Sequence, residues 1–417
     1  MMTKLAIQGG TPVRTKPFTA WPIHGEQEVE AVSRVVRSGN WGRLAGVETP
    51  LFEQEFAQAH NANYGLAVTN GTTSLEVALA ALDIGAGDEV IVPAYTFVAS
   101  ATCVLTVNAI PIFADVDPDT FNLDLDSVRS KITARTKAII PVHFAGLPVN
   151  MEELMALAAE HGLHVLEDCA HAHGAKFRGK GVGSFGAFGS FSFQASKNMN
   201  SGEGGIVLTN DKDLYERANS LHSFGRLPGR PWYEHHMYSG NLRITEMQSA
   251  ILRIQLARLA EENKLRSENA ALLTGLLSEI PGITCVDPEG PDASERVYHL
   301  YVFRYKPEQF AGLSKAQFIE ALTAEGVPAA GGYPVPMYKQ NLFMTKTAKA
   351  KGCPFSCPHY AGPEIDYGQL HLPGAEQACN EAVWFTQNLL LGDEQDMRDI
   401  AEAVRKIQAN ASELTKG

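Results

Sequence analysis

The chain has 417 residues, with 35 lysines and arginines against 47 aspartates and glutamates, for a formal net charge of −12. Hydrophobic residues make up 45% and charged residues 20%, which excludes a disordered chain, a collagen and a coiled coil. The acidic balance speaks against a nucleic-acid partner, because phosphate backbones reward clustered lysine and arginine, and the length allows about two or three domains.

The opening segment, Met-Met-Thr-Lys-Leu-Ala-Ile-Gln-Gly-Gly, has no apolar signal core. From residue 64 two patterns alternate. Short apolar runs ended by Pro, Gly, Asp or Asn predict strands over 64–69, 89–93, 110–116, 137–143 and 164–169. Between them, helical patterns cover 72–82, 96–107, 125–132 and 151–161. Repeated βα units of this kind predict an α/β fold with a mostly parallel sheet covered on both faces. Ligands of such sheets sit at the carboxyl ends of the strands.

No residue between Glu89 and Asp115 is charged. Pro93 and Pro111 interrupt this stretch, and Tyr95, Thr96, Ser100, Thr102, Thr106 and Asn108 are polar, so it reads as buried strand, turn, helix and strand rather than a membrane span. Further strands are expected over 190–193 and 204–209. A long helix over 245–280 ends at Pro281-Gly282. The rest reads as a smaller α+β unit, with a strand over 297–305 and helices over 315–325 and 394–410. The expected division is a large domain over 1–282, with an N-terminal arm and the long helix, and a small domain over 283–417.

Several residues could carry chemistry. Thr69-Asn-Gly-Thr-Thr-Ser74 lies at a strand end and opens a helix. Its hydroxyls, including Thr72 and Thr73, and the free N–H groups of the first turn suit either an anion or an ordinary cap. Asp168 ends a strand where such sheets hold ligands, and could pair with a cationic ring nitrogen or cap the next turn. Lys197 follows an apolar strand and precedes Gly202-Glu-Gly-Gly205. A lysine in that setting can be a Schiff-base nucleophile, although most lysines are solvated surface charges. Gly181-Val-Gly-Ser-Phe-Gly186 fits GxGxxG, but no βαβ start surrounds it, so it reads as a loop. His171, His173, His235 and His236 lack metal-ligand spacing, and Cys353 and Cys357 have no second pair, so no metal is expected. The six scattered cysteines fit a reducing cytoplasm. Taken together, a phosphate seat, a partner for a ring nitrogen and an imine-forming lysine are the three attachments of pyridoxal phosphate.

The motifs support a specific resemblance. They are Asn70-Gly-Thr-Thr-Ser-Leu75, Gly87-Asp-Glu-Val-Ile-Val-Pro-Ala-Tyr-Thr-Phe97, Asp115-Val-Asp-Pro118 and Glu167-Asp-Cys-Ala-His-Ala-His-Gly174. With them go Phe191-Ser-Phe-Gln-Ala-Ser-Lys-Asn198, Gly202-Glu-Gly-Gly205 and Gly240-Asn-Leu-Arg-Ile-Thr-Glu246. The chain resembles the DegT/DnrJ/StrS family of pyridoxal-phosphate-dependent sugar aminotransferases, of the aspartate-aminotransferase fold (fold type I). The resemblance implies Lys197 as cofactor lysine and proton shuttle, and Asp168 as partner of the pyridine nitrogen. It implies Phe97 stacked on the ring, and Thr72, Thr73, Ser192 and Gln194 around the phosphate. Asn241 matches an asparagine that reaches the phosphate of a neighbouring subunit, implying a homodimer with shared sites.

The family often has Gln where this chain has His171, beside the ring hydroxyl. It often has His at Gln194 and Asp at Ala187. His171 with Gln194 resembles the branch that aminates cyclic ketones such as scyllo-inosose and 2-deoxy-scyllo-inosose. The same pair occurs in 3-amino-5-hydroxybenzoate synthases. The expected activity is therefore transfer of an amino group from L-glutamine or L-glutamate to a keto-cyclitol or keto-sugar. Arg226, Arg230 and Arg243 are candidates for the donor carboxylate. The alternatives are a dehydratase or aromatising enzyme of the aminobenzoate type and a non-enzymatic pyridoxal-phosphate-binding regulator.

Overall fold

A computed structural model of the protein describes residues 4–286, 294–347 and 353–415. Two helices come first, α1 (Glu26–Ser38) and α2 (Glu48–Ala59). The alternating region then runs β1 (Tyr64–Val68), α3 (Gly71–Ala81), β2 (Glu89–Pro93), α4 (Ala99–Thr106), β3 (Ile110–Ala114), α5 (Leu125–Lys131), β4 (Thr136–Ile139), α6 (Met151–His161) and β5 (His164–Asp168). A small hairpin, β6 (Lys176–Phe177) and β7 (Lys180–Gly181), precedes β8 (Phe188–Ser192), β9 (Gly205–Thr209), α7 (Lys212–Leu221) and the long α8 (Glu246–Ser278). The C-terminal part holds β10 (Ile283–Cys285), β11 (Leu300–Tyr305), α9 (Lys315–Ala324), α10 (Asn341–Met344), α11 (Pro373–Glu381), β12 (Ala382–Thr386) and α12 (Glu394–Leu414).

Seven strands form one sheet in the order β1-β9-β8-β5-β4-β2-β3. Only β9 runs against the rest, pairing antiparallel with both β1 and β8. The sheet is thus mostly parallel, as the βα alternation requires. Side chains alternate between its faces along each strand. Leu66, Val68, Val90, Val92, Leu166 and Phe188 pack on one side with α3 and α4. Ala67, Ile91, Val165, Phe191 and Ile206 pack on the other with Phe52 and Phe56 of α2, Leu154 of α6 and Leu252 of α8. With both faces covered, apolar runs rather than alternating ones mark these strands in the sequence.

The smaller sheet is antiparallel, β10-β11-β12. Its core joins Tyr301, Phe303 and Phe385 to α9 and α12, to Leu273 and Leu277 of α8, and to Leu5 of the N-terminal arm. Among the described residues no helix is long and apolar enough to cross a membrane.

Candidate functional site

Four parallel strands, β1, β2, β5 and β8, deliver the candidate residues at their carboxyl ends, the edge where open α/β sheets bind ligands. Thr72 and Thr73 follow β1. Phe97 follows β2. Asp168 closes β5, with His171 three residues on. Ser192 closes β8, and Gln194 and Lys197 follow in its loop.

The start of α3 is a cradle. Asn70 caps it by accepting the Thr73 N–H at 2.9 Å, and Thr69 Oγ donates to the Thr73 hydroxyl at 3.2 Å. Among the described residues the N–H groups of Gly71 and Thr72 keep no protein partner. Ser192 lies against them: a Cβ placed on Gly71 would come within 2.5 Å of Ser192 Cβ. Only glycine lets β8 approach the helix start so closely. The free donors, the positive end of α3 and the Ser192 hydroxyl make a seat for an anion. Gln194 is exposed, and its side-chain oxygen accepts from Ser196 N–H at 2.9 Å and Ser196 Oγ at 2.7 Å.

Asp168 is buried. Ser100 Oγ donates to its Oδ2 at 2.8 Å and Ala170 N–H to its Oδ1 at 3.1 Å. Burial nevertheless raises its carboxyl above the usual range, opposed by these two bonds and by the neighbouring Lys197 and His143. A buried carboxylate left short of cationic compensation is suited to a cationic ligand. Lys197 keeps partial solvent access as a residue, but burial of its amine lowers the pKa to about 8, against the pull of Asp168. That amine is a usable nucleophile near neutral pH. His171 is buried and accepts the Ala145 N–H at Nδ1, 3.3 Å away. Phe97 is 57% exposed, unusual for an aromatic at the mouth of a site.

Asn241 is exposed, on a strip that borders the same edge. The Thr69 N–H donates to Leu242 O at 3.0 Å, and Asn241 bridges to Ser223. Burial and the neighbouring Arg226 and Arg43 push Arg243 below its ordinary pKa. Arg43 is satisfied by Glu53 at 2.9 Å. Arg226 and Arg243 have no carboxylate partner among the described residues; Arg226 lies over Trp232, and Arg243 donates to Ser223 Oγ at 2.9 Å. Arg230 is exposed.

Other motifs are absorbed by the fold. The loop containing Gly181, Gly183 and Gly186 does gather N–H donors. Gly183, Phe185 and Gly186 aim them at the buried Glu167 carboxylate, at 2.7, 2.8 and 2.8 Å. The protein's own carboxylate fills this nest. His143, Glu167 and Cys169 bring ligand-type atoms within 4.8 Å of one another. His143 Nδ1 accepts the Val149 N–H at 3.0 Å, so Nε2 carries the proton and donates to Glu167 at 3.2 Å. No imidazole lone pair is left for a metal. His235 hydrogen-bonds Phe224 O at 2.8 Å, while His236 lies 3.4 Å from Glu234. Ser100 and His299 belong to the site region and lie outside every motif quoted above, whereas Asn198 closes the motif that begins at Phe191 without a role assigned to it. Ser100 Oγ also lies 3.0 Å from Thr96 Oγ1.

The chain is similar to known proteins along nearly its whole length. Residues 22–405 match the model of the DegT/DnrJ/EryC1/StrS aminotransferase family. A Streptoalloteichus tenebrarius protein provisionally named L-glutamine:3-amino-2,3-dideoxy-scyllo-inosose aminotransferase is 41% identical over 99% of this chain and 100% of its own. The L-glutamine:2-deoxy-scyllo-inosose aminotransferase of Streptomyces paromomycinus is 40% identical over 100% of both chains. The crystal structure of a 3-amino-5-hydroxybenzoic acid synthase superposes with a TM-score of 0.85 at 33% identity, covering 98% of this chain and 100% of the other.

Proposed function

The chain belongs to the DegT/DnrJ/EryC1/StrS aminotransferase family, and we propose that it uses pyridoxal phosphate to move an amino group from L-glutamine or L-glutamate to the ketone of a cyclitol or keto-sugar, in two half-reactions. The observation that carries this reading is the convergence, on one sheet edge, of an anion cradle, an undercompensated buried carboxylate and an amine lowered to about 8. Those groups fit the cofactor's phosphate, ring nitrogen and carbonyl carbon.

Bound pyridoxal phosphate would supply an electron sink for the bond broken beside nitrogen. The protein's residues do the rest. Gly71 and Thr72 N–H, Ser192 and the dipole of α3 would hold the phosphate, with Thr73 and Gln194 at its rim. Asp168 would keep a proton on the ring nitrogen, Phe97 would cover one ring face and His171 would stand beside the ring hydroxyl. Lys197 would be the residue that binds the cofactor's carbonyl carbon, and its free amine would carry the transferred proton as base and as acid. Arg226 and Arg243 are the cations available to a donor carboxylate.

The relatives' names support L-glutamine as donor and an inosose as acceptor. A homodimer with shared sites is supported by exposed Trp41, Leu44, Trp232 and Tyr233 on segments that flank the site. Asn241 would then reach the phosphate held by the neighbouring subunit. The six cysteines, scattered along the chain, support a cytoplasmic location.

A second reading keeps the cofactor and Lys197 but eliminates water, as in aminobenzoate formation. The likeness to the synthase structure favours it. Glutamine labelled with heavy nitrogen at its amine separates the two. Label appearing in a cyclitol amine supports transfer. An unlabelled, dehydrated product overturns it.

A further inference from the structure

We propose that His299 is a positioning residue: anchored by Asn198, it stacks on His171 and holds that imidazole neutral, with its Nε2–H free to donate into the site. Asn198 directly follows Lys197. Its Nδ2 donates to Val297 O at 2.9 Å and reaches Asn263 Oδ1 at 3.5 Å. A carbonyl can only accept, so the amide is fixed with its oxygen towards His299 Nδ1, 3.1 Å away. His299 Nδ1 therefore carries the proton. Asn263 is fixed in turn, donating to His173 O at 2.8 Å and accepting from the buried Arg266 at 2.8 Å. The chain of bonds runs from α8 to the residue beside the cofactor lysine.

The two imidazoles lie 4.3 Å apart, tilted by 35°. His171 Nδ1 already accepts the Ala145 N–H, so a neutral His171 has its proton on Nε2. Protonating Nδ1 would set donor against donor. The titratable groups that act on His171 are Lys197 and His173, and Phe144 covers a further side. His299 senses His171, Lys197, His173 and Arg266. No carboxylate is among them, so nothing rewards an imidazolium at either ring. Burial first, and then neighbours that include the Lys197 cation, hold both well below the ordinary histidine range. The His299 ring is what keeps water from that side of His171.

On the cofactor reading above, from which this role follows, His171 presents a neutral donor to the ring hydroxyl at every working pH. Removing the His299 ring lets water reach His171 and raises its pKa towards the ordinary histidine value of about 6.5, with the Ala145 N–H at Nδ1 still holding it below that value. The test is a pH titration of the visible band of the cofactor-loaded protein. H299A should gain a transition below about pH 6.5 that the wild type and H299F, which keeps a ring, both lack. The transition should vanish in the double variant H171F/H299A. N198A keeps both rings and cuts the anchor, and should show the same transition at smaller amplitude. Unchanged titration in both H299A and N198A overturns this role alone, as does a transition that survives in H171F/H299A. A wild type with no visible band when pyridoxal phosphate is supplied overturns the cofactor reading and this role with it.

Discussion

Ser100 Oγ donates a 2.8 Å hydrogen bond to Asp168 Oδ2, across 68 residues of sequence. This bond is the strongest influence opposing burial, which raises the carboxyl. Ser100→Ala should therefore push Asp168 further up and leave it protonated more of the time. A hydrogen bond to a charged group is worth about 1.5–3 kcal/mol, so cofactor affinity should fall roughly 10- to 100-fold. Equilibrium titration of the apoprotein with pyridoxal phosphate measures it. Unchanged affinity would detach Asp168 from cofactor binding.

The Lys197 amine has a pKa near 8, lowered from the ordinary lysine value. The neutral amine is the form that attacks a carbonyl. Cofactor incorporation into apoprotein should accelerate about tenfold per pH unit below 8 and level off above it. A lysine depressed on folding also costs stability while it must be charged, so the apoprotein should gain stability as pH rises from 8 towards the unfolded lysine range. Stopped-flow absorbance and thermal melts follow the two effects.

Lys197→Ala should abolish turnover while the α3 cradle still holds the cofactor without a covalent bond. Borohydride reduction followed by peptide mass spectrometry should label Lys197 in the wild type and nothing in the variant. Turnover by the variant would remove Lys197 from the chemistry.

At Gly71 an added methyl would stand 2.5 Å from Ser192 Cβ and 2.9 Å from its Oγ. Gly71→Ala should cost about 1–3 kcal/mol of stability by overpacking and weaken cofactor binding at least as much as Ser100→Ala. Denaturant melts with and without cofactor separate the two losses. The stabilisation by added cofactor should shrink in the variant.

Glu167 accepts three backbone N–H groups and His143 in full burial. Glu167→Gln replaces one acceptor oxygen by a donor facing donors, and should destabilise by roughly 3–5 kcal/mol. Chelators should change neither the melting temperature nor turnover of the wild type. A chelator-sensitive melt would mean that His143, Glu167 and Cys169 hold a metal after all.

The alternating units were legible because each is local. The strand over 89–93 and the helix over 151–161 coincide with β2 and α6, and the expected helix over 245–280 with α8 to within two residues. Elsewhere tertiary context decided. The strand expected over 137–143 ends at Ile139, two residues before Pro141, whose missing N–H removes a ladder donor. The strand expected over 297–305 starts only at Leu300, because Tyr298 takes a left-handed φ of 47°. The reversal of β9 and its place beside β1 are set by non-local pairing, on which short apolar runs are silent. The amphipathic α1, α2 and α7 lay outside the alternating pattern and were not anticipated. In the site, Lys197, Asp168 and the α3 start stood out through motifs at strand ends. Ser100 and His299 act through partners 68 and 101 residues away, and such pairings leave no local signature; Asn198 sits in a quoted motif, but its bond to His299 is equally non-local.

The most direct measurement is the absorption spectrum of the purified, cofactor-supplied protein before and after adding L-glutamine. The expected result is a visible band that moves into the near ultraviolet with the donor and returns when a keto-cyclitol is added. A visible band indifferent to L-glutamine, L-glutamate and other amines, or no band at all, would contradict it.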